Sequence, residues 1–192
     1  MSESQWNKYY EVTKEKPPQP LVVEAIKHVT NIGAAIDLGA GMLRHSKFLQ
    51  SQGFEVIAVD KDSTFAEAIV ALENKHIHGY VSTFEDFDFP TQTYDFVCAM
   101  SALPFVSPDN FTEVFTKVVH SLKPGGIFCG NFFGLKDSWN NGSTMTFLTR
   151  DQINAMFKDF EIIYMHENDG DITTVTGEEK HSNRFHIIAR KK

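Results

Sequence analysis

The sequence predicts an α/β domain built around a mainly parallel β-sheet. Short apolar runs alternate with segments of helical periodicity, which is typical of this fold class. The central runs are almost continuously apolar, as parallel strands buried on both faces are. Near the C-terminus, two further β-like runs follow each other without a helical segment between them. We therefore expect this edge of the sheet to be an antiparallel hairpin.

The strands are predicted from the apolar runs. In chain order they are Ala34–Leu38, Glu55–Val59, Phe96–Met100, Ile127–Phe133, Glu161–Tyr164 and Phe185–Ala189. Gly170 and Gly177 lie between the last two runs, where they favour the turn of the hairpin.

Local start and stop signals predict four helices, over about residues 21–29, 43–53, 107–123 and 149–157. The third helix is expected to have Ser107 at its N-cap and Pro108 at its first helical position. The fourth is expected to begin with a capping box, because Thr149 and Gln152 have the required spacing.

Length and composition describe an ordinary globular domain. The chain has 192 residues and a mass of 21.7 kDa, so residues 1–192 are expected to form one domain. Cys98 and Cys129 both lie in apolar runs, which favours buried thiols in a reducing compartment. The polar N-terminal segment is unlike a signal peptide, and no stretch of about 18 apolar residues could span a membrane. We therefore expect a cytoplasmic protein with no membrane partner.

The charge balance is acidic. There are 18 Lys and Arg residues against 25 Asp and Glu residues, which gives a formal net charge of −7. Affinity for nucleic acid depends on how many phosphates basic side chains neutralise. The sequence therefore argues against DNA or RNA as a partner.

The most informative segment is the glycine loop AAIDLGAGMLR, which joins the first predicted strand to the next helix. Gly39 and Gly41 allow the backbone to bend and to approach a ligand closely, although glycine pairs also occur in ordinary tight turns. The second strand ends in Asp60, about twenty residues beyond the loop, where an acid can accept both hydroxyls of a ribose. Together these features predict a site for an adenosine-containing ligand.

Two residues of this segment separate the possible ligands. The third glycine of the dinucleotide motif is replaced by Arg44, and the Asp37 carboxylate would repel a pyrophosphate. The same carboxylate suits S-adenosylmethionine, whose amino-acid end carries an ammonium group. The alternative is that Asp37 only caps the following helix.

Four segments in order, DLGAG, VIAVD, TFEDFDFPTQTYDFVCAMSALPFV and SLKPGGIF, resemble the class I S-adenosylmethionine-dependent methyltransferases. WNKYYE and EKHSNRFHIIARKK make the chain most similar to the small tellurite-resistance-like methyltransferases. This resemblance implies a three-layer Rossmann-like methyltransferase fold. Its sheet would have seven strands, mostly parallel, with an antiparallel C-terminal strand. Residues 1–20 would form a lid segment and residues 21–192 the catalytic core.

The resemblance also implies where S-adenosylmethionine binds. Asp37 and the two loop glycines would hold the methionine end, Asp60 the ribose, and the residues after the third and fourth strands the adenine and the sulfonium. The expected cofactor-binding residues are Asp37, Gly39, Gly41, Arg44, Asp60, Lys61, Thr83, Phe84, Met100 and Ser101. Leu43 stands where the family has a further glycine, and Thr83 where it often has an acid.

Catalytic candidates lie in the late segment GEEKHSNRFH. We expect Arg184 to orient an anionic acceptor and His181 to accept a proton, with His186 as a further titratable group. The alternative is a polar edge hairpin with a structural role. A metal site is not expected, because His181 and His186 are five positions apart in the sequence, and an odd spacing places two side chains on opposite faces of a strand. Aromatic residues expected to form a lid or to contact the acceptor are Trp6, Tyr10 and Trp139.

The sequence thus predicts methyl transfer from S-adenosylmethionine to a small-molecule acceptor. Two alternatives remain open: a nicotinamide-dependent oxidoreductase on a related fold, and a cofactor-binding module without activity. Neither the acceptor nor the oligomeric state can be predicted from the sequence.

Overall fold

The structure is a computed structural model that describes residues 3–142 and 144–192. Its strands are Ala34–Leu38 (β1), Glu55–Asp60 (β2), Ile77–Val81 (β3), Tyr94–Ala99 (β4), Leu122–Gly134 (β5), Phe147–Leu148 (β6), Phe160–Thr173 (β7) and Glu179–Lys191 (β8). Its helices are Glu3–Thr13 (α1), Pro20–Ile26 (α2), Arg44–Ser51 (α3), Ser63–Val70 (α4), Pro108–Ser121 (α5) and Arg150–Met156 (α6). Among the described residues, no helix combines the length and the apolar character needed to cross a membrane.

The sheet confirms the predicted fold class. Its strands are ordered β3-β2-β1-β4-β5-β8-β7, and the short β6 pairs with β5 outside this path. All pairs from β3 to β5 are parallel, whereas β8 is antiparallel to both β5 and β7. The seven strands of the path are those expected for the methyltransferase fold, and β6 is an addition of two residues.

The crevice that a parallel α/β sheet offers to ligands lies where the strand order reverses. Here the chain runs outward from β1 through β2 to β3, and then returns to place β4 on the other side of β1. The ends of β1, β2 and β4 therefore surround one crevice. Two apolar cores fix these ends, one on each face of the sheet: Leu49 and Phe54 belong to the first, and Phe115 and Phe157 to the second.

The predicted elements are present, and four of those described were missed: α1, the two-residue β6, β3 and α4. β3 escaped prediction because it is half exposed, and only Ile77 among its residues is buried. In α4, the N-cap Asp62 accepts a hydrogen bond from the Thr64 N–H. The C-terminal hairpin is confirmed, with Gly177 at a φ of +88° in its turn, but Gly170 lies within β7.

The two predicted helix caps differ. Thr149 and Gln152 form a complete capping box, in which each side chain accepts a hydrogen bond from the other residue's backbone N–H. Ser107 does stand at the N-cap of α5, before Pro108, but its side chain makes no capping hydrogen bond.

This difference gives a matched pair of substitutions. Replacing Thr149 with Ala should lower the free energy of unfolding by about 1 kcal/mol, because the Gln152 N–H in the first turn of α6 loses its acceptor. Replacing Ser107 with Ala removes no cap and should change stability by less than about 0.5 kcal/mol. Urea unfolding of both variants measures the difference, and equal destabilisation would show that the capping box contributes nothing.

Candidate active site

Two cavities open at the ends of the parallel strands. The first, of about 340 Å³, is called the β2 cavity; the predicted residues lining it are Trp6, Tyr10, Gly39, Asp60, Lys61, Thr83, Phe84, Met100 and Ser101. The second, of about 820 Å³, is called the hairpin cavity, because the turn between β7 and β8 forms part of its wall; the predicted residues lining it are Trp6, Arg44, Ser101, Trp139 and Arg184. Four residues line both cavities: Trp6, Tyr9, Ser101 and Phe105. These four form the junction of the two cavities.

The glycine loop has the backbone that the sequence requires. Gly39 and Gly41 have φ values of +71° and +48°. A Cβ at Gly39 would lie 2.8 Å from the Ala102 Cβ, and one at Gly41 would lie 2.7 Å from the Tyr10 ring. Both positions therefore need glycine for conformation and for space. Leu43 has a similar φ of +64° although its side chain is buried, so core packing holds a leucine where glycine would be unstrained.

Asp60 lies at the end of β2 and ties the second strand to the glycine loop. Its carboxylate accepts the Gly41 N–H at 2.9 Å and the Asp62 N–H at 3.0 Å. Burial raises the pKa of Asp60, and these two backbone bonds act in the opposite direction. The carboxylate also lines the β2 cavity, where its remaining lone pairs can accept hydroxyl groups.

Asp37 lies beneath the loop, is fully buried and lines neither cavity. The Ser46 hydroxyl donates to its Oδ2 at 2.7 Å, whereas its Oδ1 has no hydrogen-bond partner in the part of the chain that the structure describes. Burial raises the pKa of Asp37 to about 6. An unpartnered carboxylate oxygen at this depth fits a ligand that brings an ammonium group to the loop.

Asp37, His45 and Cys98 each place one possible metal ligand within 4.8 Å of the others. The groups are poorly matched to a cation. Burial raises the pKa of the Cys98 thiol well above its ordinary value, which disfavours the thiolate that a cation would need. Burial also lowers the pKa of His45 to about 3, so its ring is neutral. The His45 Nε2 is also 3.3 Å from an Arg44 nitrogen, so the neutral ring accepts from the guanidinium. The expected absence of a metal remains a prediction.

Ser101 follows β4 and stands at the junction in a left-handed conformation, with a φ of +54°. Asn131 on β5 is buried and holds it there: the Ser101 N–H donates to the Asn131 Oδ1 at 2.8 Å, and the Asn131 amide lies 3.4 Å from the Ser101 hydroxyl. Strained backbone at a cavity wall persists only when its surroundings enforce it. Asn131 supplies that constraint.

The helix α1 covers both cavities. Tyr10 is buried against Gly41, and Trp6 stacks on Tyr10 with a ring-centroid distance of 5.9 Å. The Lys8 ammonium donates to the Thr176 carbonyl at 2.8 Å, which joins α1 to the turn of the β7–β8 hairpin. Three aromatic residues in a polar segment thus signal a helix that packs over the site.

Arg184 on β8 reaches the hairpin cavity as a half-buried cation without a carboxylate partner among the described residues. Its guanidinium carbon lies 5.0 Å from the Phe133 ring centroid and 6.0 Å from that of Trp139, and its Nε has no hydrogen-bond partner. Burial lowers the pKa of Arg184 without removing its charge. The neighbouring cation, Lys180, is instead neutralised by a buried ion pair with Asp137.

The structure does not bring the two histidines to this site. His181 is three residues from Arg184 on β8, so the two side chains point to opposite faces of the sheet. Its ring nitrogens lie 2.8 Å from Asp171 and 2.9 Å from Asp169, and these carboxylates raise its pKa. His186 lies 3.4 Å from the Asn168 amide. Neither histidine lines either cavity, so the geometry gives no support to their expected catalytic roles.

Three features of the site were not predicted: Phe105 at the junction, Asn131 behind Ser101, and the ion pair of Lys180 with Asp137. One had a signal in the sequence, because Asn131 is a polar residue inside the apolar run IFCGNFF. The others depend on which distant segments meet in the fold.

A family model described as "Tellurite resistance protein TehB" matches residues 1–188. Among solved structures, TehB from Haemophilus influenzae is similar with a TM-score of 0.77 and 18% identity over 96% of this chain and 66% of that chain. The chain thus spans slightly less than two thirds of that protein. No curated protein sequence matches the chain significantly.

Two further structures share the fold. The 1,6-didemethyltoxoflavin-N1-methyltransferase of Burkholderia thailandensis, solved with 1,6-didemethyltoxoflavin and S-adenosylhomocysteine, has a TM-score of 0.67 at 16% identity over 99% of this chain and 87% of that chain. A putative S-adenosylmethionine-dependent methyltransferase from Listeria monocytogenes has a TM-score of 0.66 at 17% identity, covering 90% of this chain and 98% of that chain. At these identities the likeness establishes the fold.

The position of Asp60 leads to a first prediction for this site. Replacing Asp60 with Ala should weaken S-adenosylhomocysteine binding by about 1.5–3 kcal/mol, because charge-assisted hydrogen bonds to the ribose are lost. Calorimetric titration measures the dissociation constant. Asp88→Ala is the control, since this exposed aspartate lines neither cavity. An unchanged dissociation constant in the Asp60 variant, with an unchanged melting temperature, would contradict the assignment.

The raised pKa of Asp37 leads to a second prediction. Its pKa of about 6 exceeds the ordinary value of 3.8, so the folded protein binds the proton more tightly and loses stability as pH rises through this interval. At pH 7.5 without ligand, the free energy of unfolding of Asp37→Asn should therefore exceed that of the wild type by on the order of 1–3 kcal/mol. Below about pH 4, where Asp37 is protonated in both the folded and the unfolded wild type, this difference should vanish.

Asp95→Asn is the matched control, because Asp95 is buried but pairs with Lys123 at 2.8 Å. This variant should be less stable than the wild type at pH 7.5. Denaturant unfolding at several pH values distinguishes the cases. A stability gain for Asp37→Asn that does not depend on pH would show that the Asp37 carboxylate does not titrate in this range.

Proposed function

The chain belongs to the TehB family, and from this premise we propose that it transfers the methyl group of S-adenosylmethionine to a small-molecule acceptor. The family and the fold confirm the predicted enzyme class, a methyltransferase, and its cofactor, S-adenosylmethionine. The alternative of a nicotinamide-dependent oxidoreductase gains no support from them. The acceptor and the roles of the site residues belong to the proposal.

The observation that carries the proposal is the junction of the two cavities. Methyl transfer requires the acceptor atom, the methyl carbon and the sulfur to lie nearly in line, with water excluded. Two cavities that meet at Trp6, Tyr9, Ser101 and Phe105 provide one compartment for each reactant and a shared point for the reaction. We place the sulfonium at this junction, beside Ser101 and Met100.

The β2 cavity would hold the adenosine part of the cofactor. Asp60 accepts the ribose hydroxyls, and Thr83 and Phe84 contact the adenine, with Lys61 at the cavity edge. The Oδ1 atom of Asp37 has no hydrogen-bond partner among the described residues, so we assign Asp37 as the acceptor for the cofactor ammonium. Asp60, Thr83 and Phe84 already line the β2 cavity, whereas Asp37 is fully buried, so its contact with the ammonium requires the groups over the glycine loop to shift on binding.

Two loop positions complete the methionine end of the cofactor site. Arg44 lines the hairpin cavity next to the loop, and the neutral His45 ring accepts a hydrogen bond from its guanidinium. Arg44 is thereby directed to the cofactor carboxylate. Gly39 and Gly41 allow the backbone to approach this end closely, because neither carries a Cβ.

The hairpin cavity would hold the acceptor. Arg184 provides a fixed positive charge, and Trp6 and Trp139 provide apolar surface. Bound S-adenosylmethionine supplies a methyl group on a cationic sulfur: the acceptor lone pair forms the new bond to carbon, and the electrons of the broken carbon–sulfur bond return to sulfur. The protein aligns the reactants and excludes water.

No base is assigned for this step. His181, the expected base, is held by two carboxylates on the opposite face of the sheet from Arg184. An acceptor that already presents a lone pair needs only alignment. The acidic net charge of −7 supports a small acceptor over a nucleic acid, because a polyanion would be repelled.

Release of S-adenosylhomocysteine from S-adenosylmethionine across a panel of small acceptors tests the proposal. We expect at least one acceptor to give turnover that depends on both substrates, with S-adenosylhomocysteine as a competitive product. Calorimetry with S-adenosylhomocysteine and NAD is run in parallel. Binding of NAD in place of S-adenosylhomocysteine would favour an oxidoreductase, and tight S-adenosylhomocysteine binding without turnover of any acceptor would favour a module without activity.

A further inference from the structure

We propose that the methyl acceptor is an organic anion with an aromatic body, and not an inorganic oxyanion. This inference rests on the proposed function, and it concerns the shape and charge of the hairpin cavity. Three features support it: the volume of the cavity, its aromatic lining, and one cation without a carboxylate partner among the described residues.

The first feature is size. The hairpin cavity has a volume of about 820 Å³, within the range of pockets that bind organic ligands, roughly 300–1,000 Å³. The methionine end of the cofactor occupies only the part beside Arg44. An oxyanion of one central atom and a few oxygens would leave most of the remaining apolar lining in contact with water.

The second feature is the aromatic wall. Trp6 lies 5.0 Å from Phe105, Phe105 lies 5.7 Å from Phe133, and Phe133 lies 5.6 Å from Trp139, measured between ring centroids. Trp6, Phe105 and Trp139 are half-buried and present aromatic surface to the hairpin cavity, whereas Phe133 is fully buried and packs behind Phe105 and Trp139. Aromatic rings bind other aromatic rings in edge-to-face or offset geometry. A flat aromatic body suits this surface, and a hydrated ion does not.

The third feature is the unpaired charge. Three cations line the cavity, Lys8, Arg44 and Arg184, against one carboxylate, Glu178, in a chain whose net charge is −7. Lys8 donates to the Thr176 carbonyl, and Arg44 belongs to the cofactor end.

Arg184 remains for the acceptor, with a buried Nε that lacks a partner. Its planar guanidinium packs over Phe133 and matches the fork of a carboxylate. The neighbouring Lys180 is neutralised by its ion pair with Asp137, so Lys180 does not compete with Arg184 for an anionic ligand.

These features define an orientation. The anionic group pairs with Arg184, the aromatic body lies along the wall, and the nucleophilic atom reaches the junction at Ser101. There its lone pair bonds to the methyl carbon, the carbon–sulfur bond breaks toward sulfur, and any displaced proton leaves to water through the open mouth of the cavity. The products are the methylated acceptor and S-adenosylhomocysteine.

Binding to the S-adenosylhomocysteine-saturated protein tests the inference without relying on turnover. Calorimetric titrations use a set of benzoates, naphthoates and quinoline carboxylates, each paired with its own carboxamide, together with sodium selenite. We expect carboxylates to bind at least about tenfold more tightly than their amides, and more tightly than selenite. Tighter binding of selenite than of every carboxylate would overturn the proposal.

Variants locate the effect. Arg184→Gln should abolish the preference for acid over amide, and Arg184→Lys should keep part of it, because the charge remains but the fork is lost. Arg190→Gln is the matched control, since Arg190 lies on the same strand but pairs with Glu161. The preference should be unchanged in this control, and its loss there, or its persistence in Arg184→Gln, would contradict the assignment.

Two measurements keep the outcomes distinguishable. The dissociation constant of S-adenosylhomocysteine and the melting temperature are recorded for every variant. Failure of the wild type to bind S-adenosylhomocysteine would contradict the proposed function itself. Normal S-adenosylhomocysteine binding without any acid preference would contradict only the acceptor class.

Discussion

The site depends on one hydrogen bond, from the Gly41 N–H to the buried carboxylate of Asp60. It joins the end of β2 to the loop after β1, and it fixes the loop in a backbone conformation that needs glycine. Tyr10 then packs directly on Gly41, because there is no Cβ to keep it away. Through Tyr10 and its stacking partner Trp6, the same contact positions α1 over both cavities. A strand end, a turn and a distant helix are thus coupled by one close approach.

Electrostatics divides the crevice into two compartments of different character. On the cofactor side, buried carboxylates predominate: Asp37 has an oxygen without a partner, and Asp60 lines the cavity wall. On the proposed acceptor side, Arg184 is half-buried among aromatic rings without a counterion among the described residues. Charge held away from water without a partner favours ligands that bring the opposite charge. The proposed function uses both charges: Asp37 would bind the cofactor ammonium, and Arg184 would bind an anionic group of the acceptor.

The cofactor side could be predicted from the sequence because its residues lie at strand ends within short motifs. Gly39 and Asp60 follow apolar runs, so the fold class alone brings them together. The acceptor side could not be predicted in the same way. Phe105 lines the cavity, whereas Asn131 and Lys180 lie behind it and contact Ser101 and Trp139; these residues come from segments far apart in the chain, and only tertiary packing brings them together.

One expectation had a local reason for failing. His181 and Arg184 are an odd number of residues apart, so a continuous strand places them on opposite faces of the sheet. The alternation of side chains along a strand, which places His181 and His186 on opposite faces, also places His181 and Arg184 on opposite faces. For β3, the weak apolar pattern reflects its position at the edge of the sheet, where one half of the strand meets solvent.

In the proposed function, the methyl group is transferred where the two cavities meet. A crystal structure of the complex with S-adenosylhomocysteine tests this placement. We expect the ribose hydroxyls within hydrogen-bond distance of Asp60, the sulfur beside Ser101 at the junction, and the hairpin cavity open in front of Arg184. A cofactor whose sulfur lies away from Ser101, or whose methionine end fills the space beside Arg184, would contradict it.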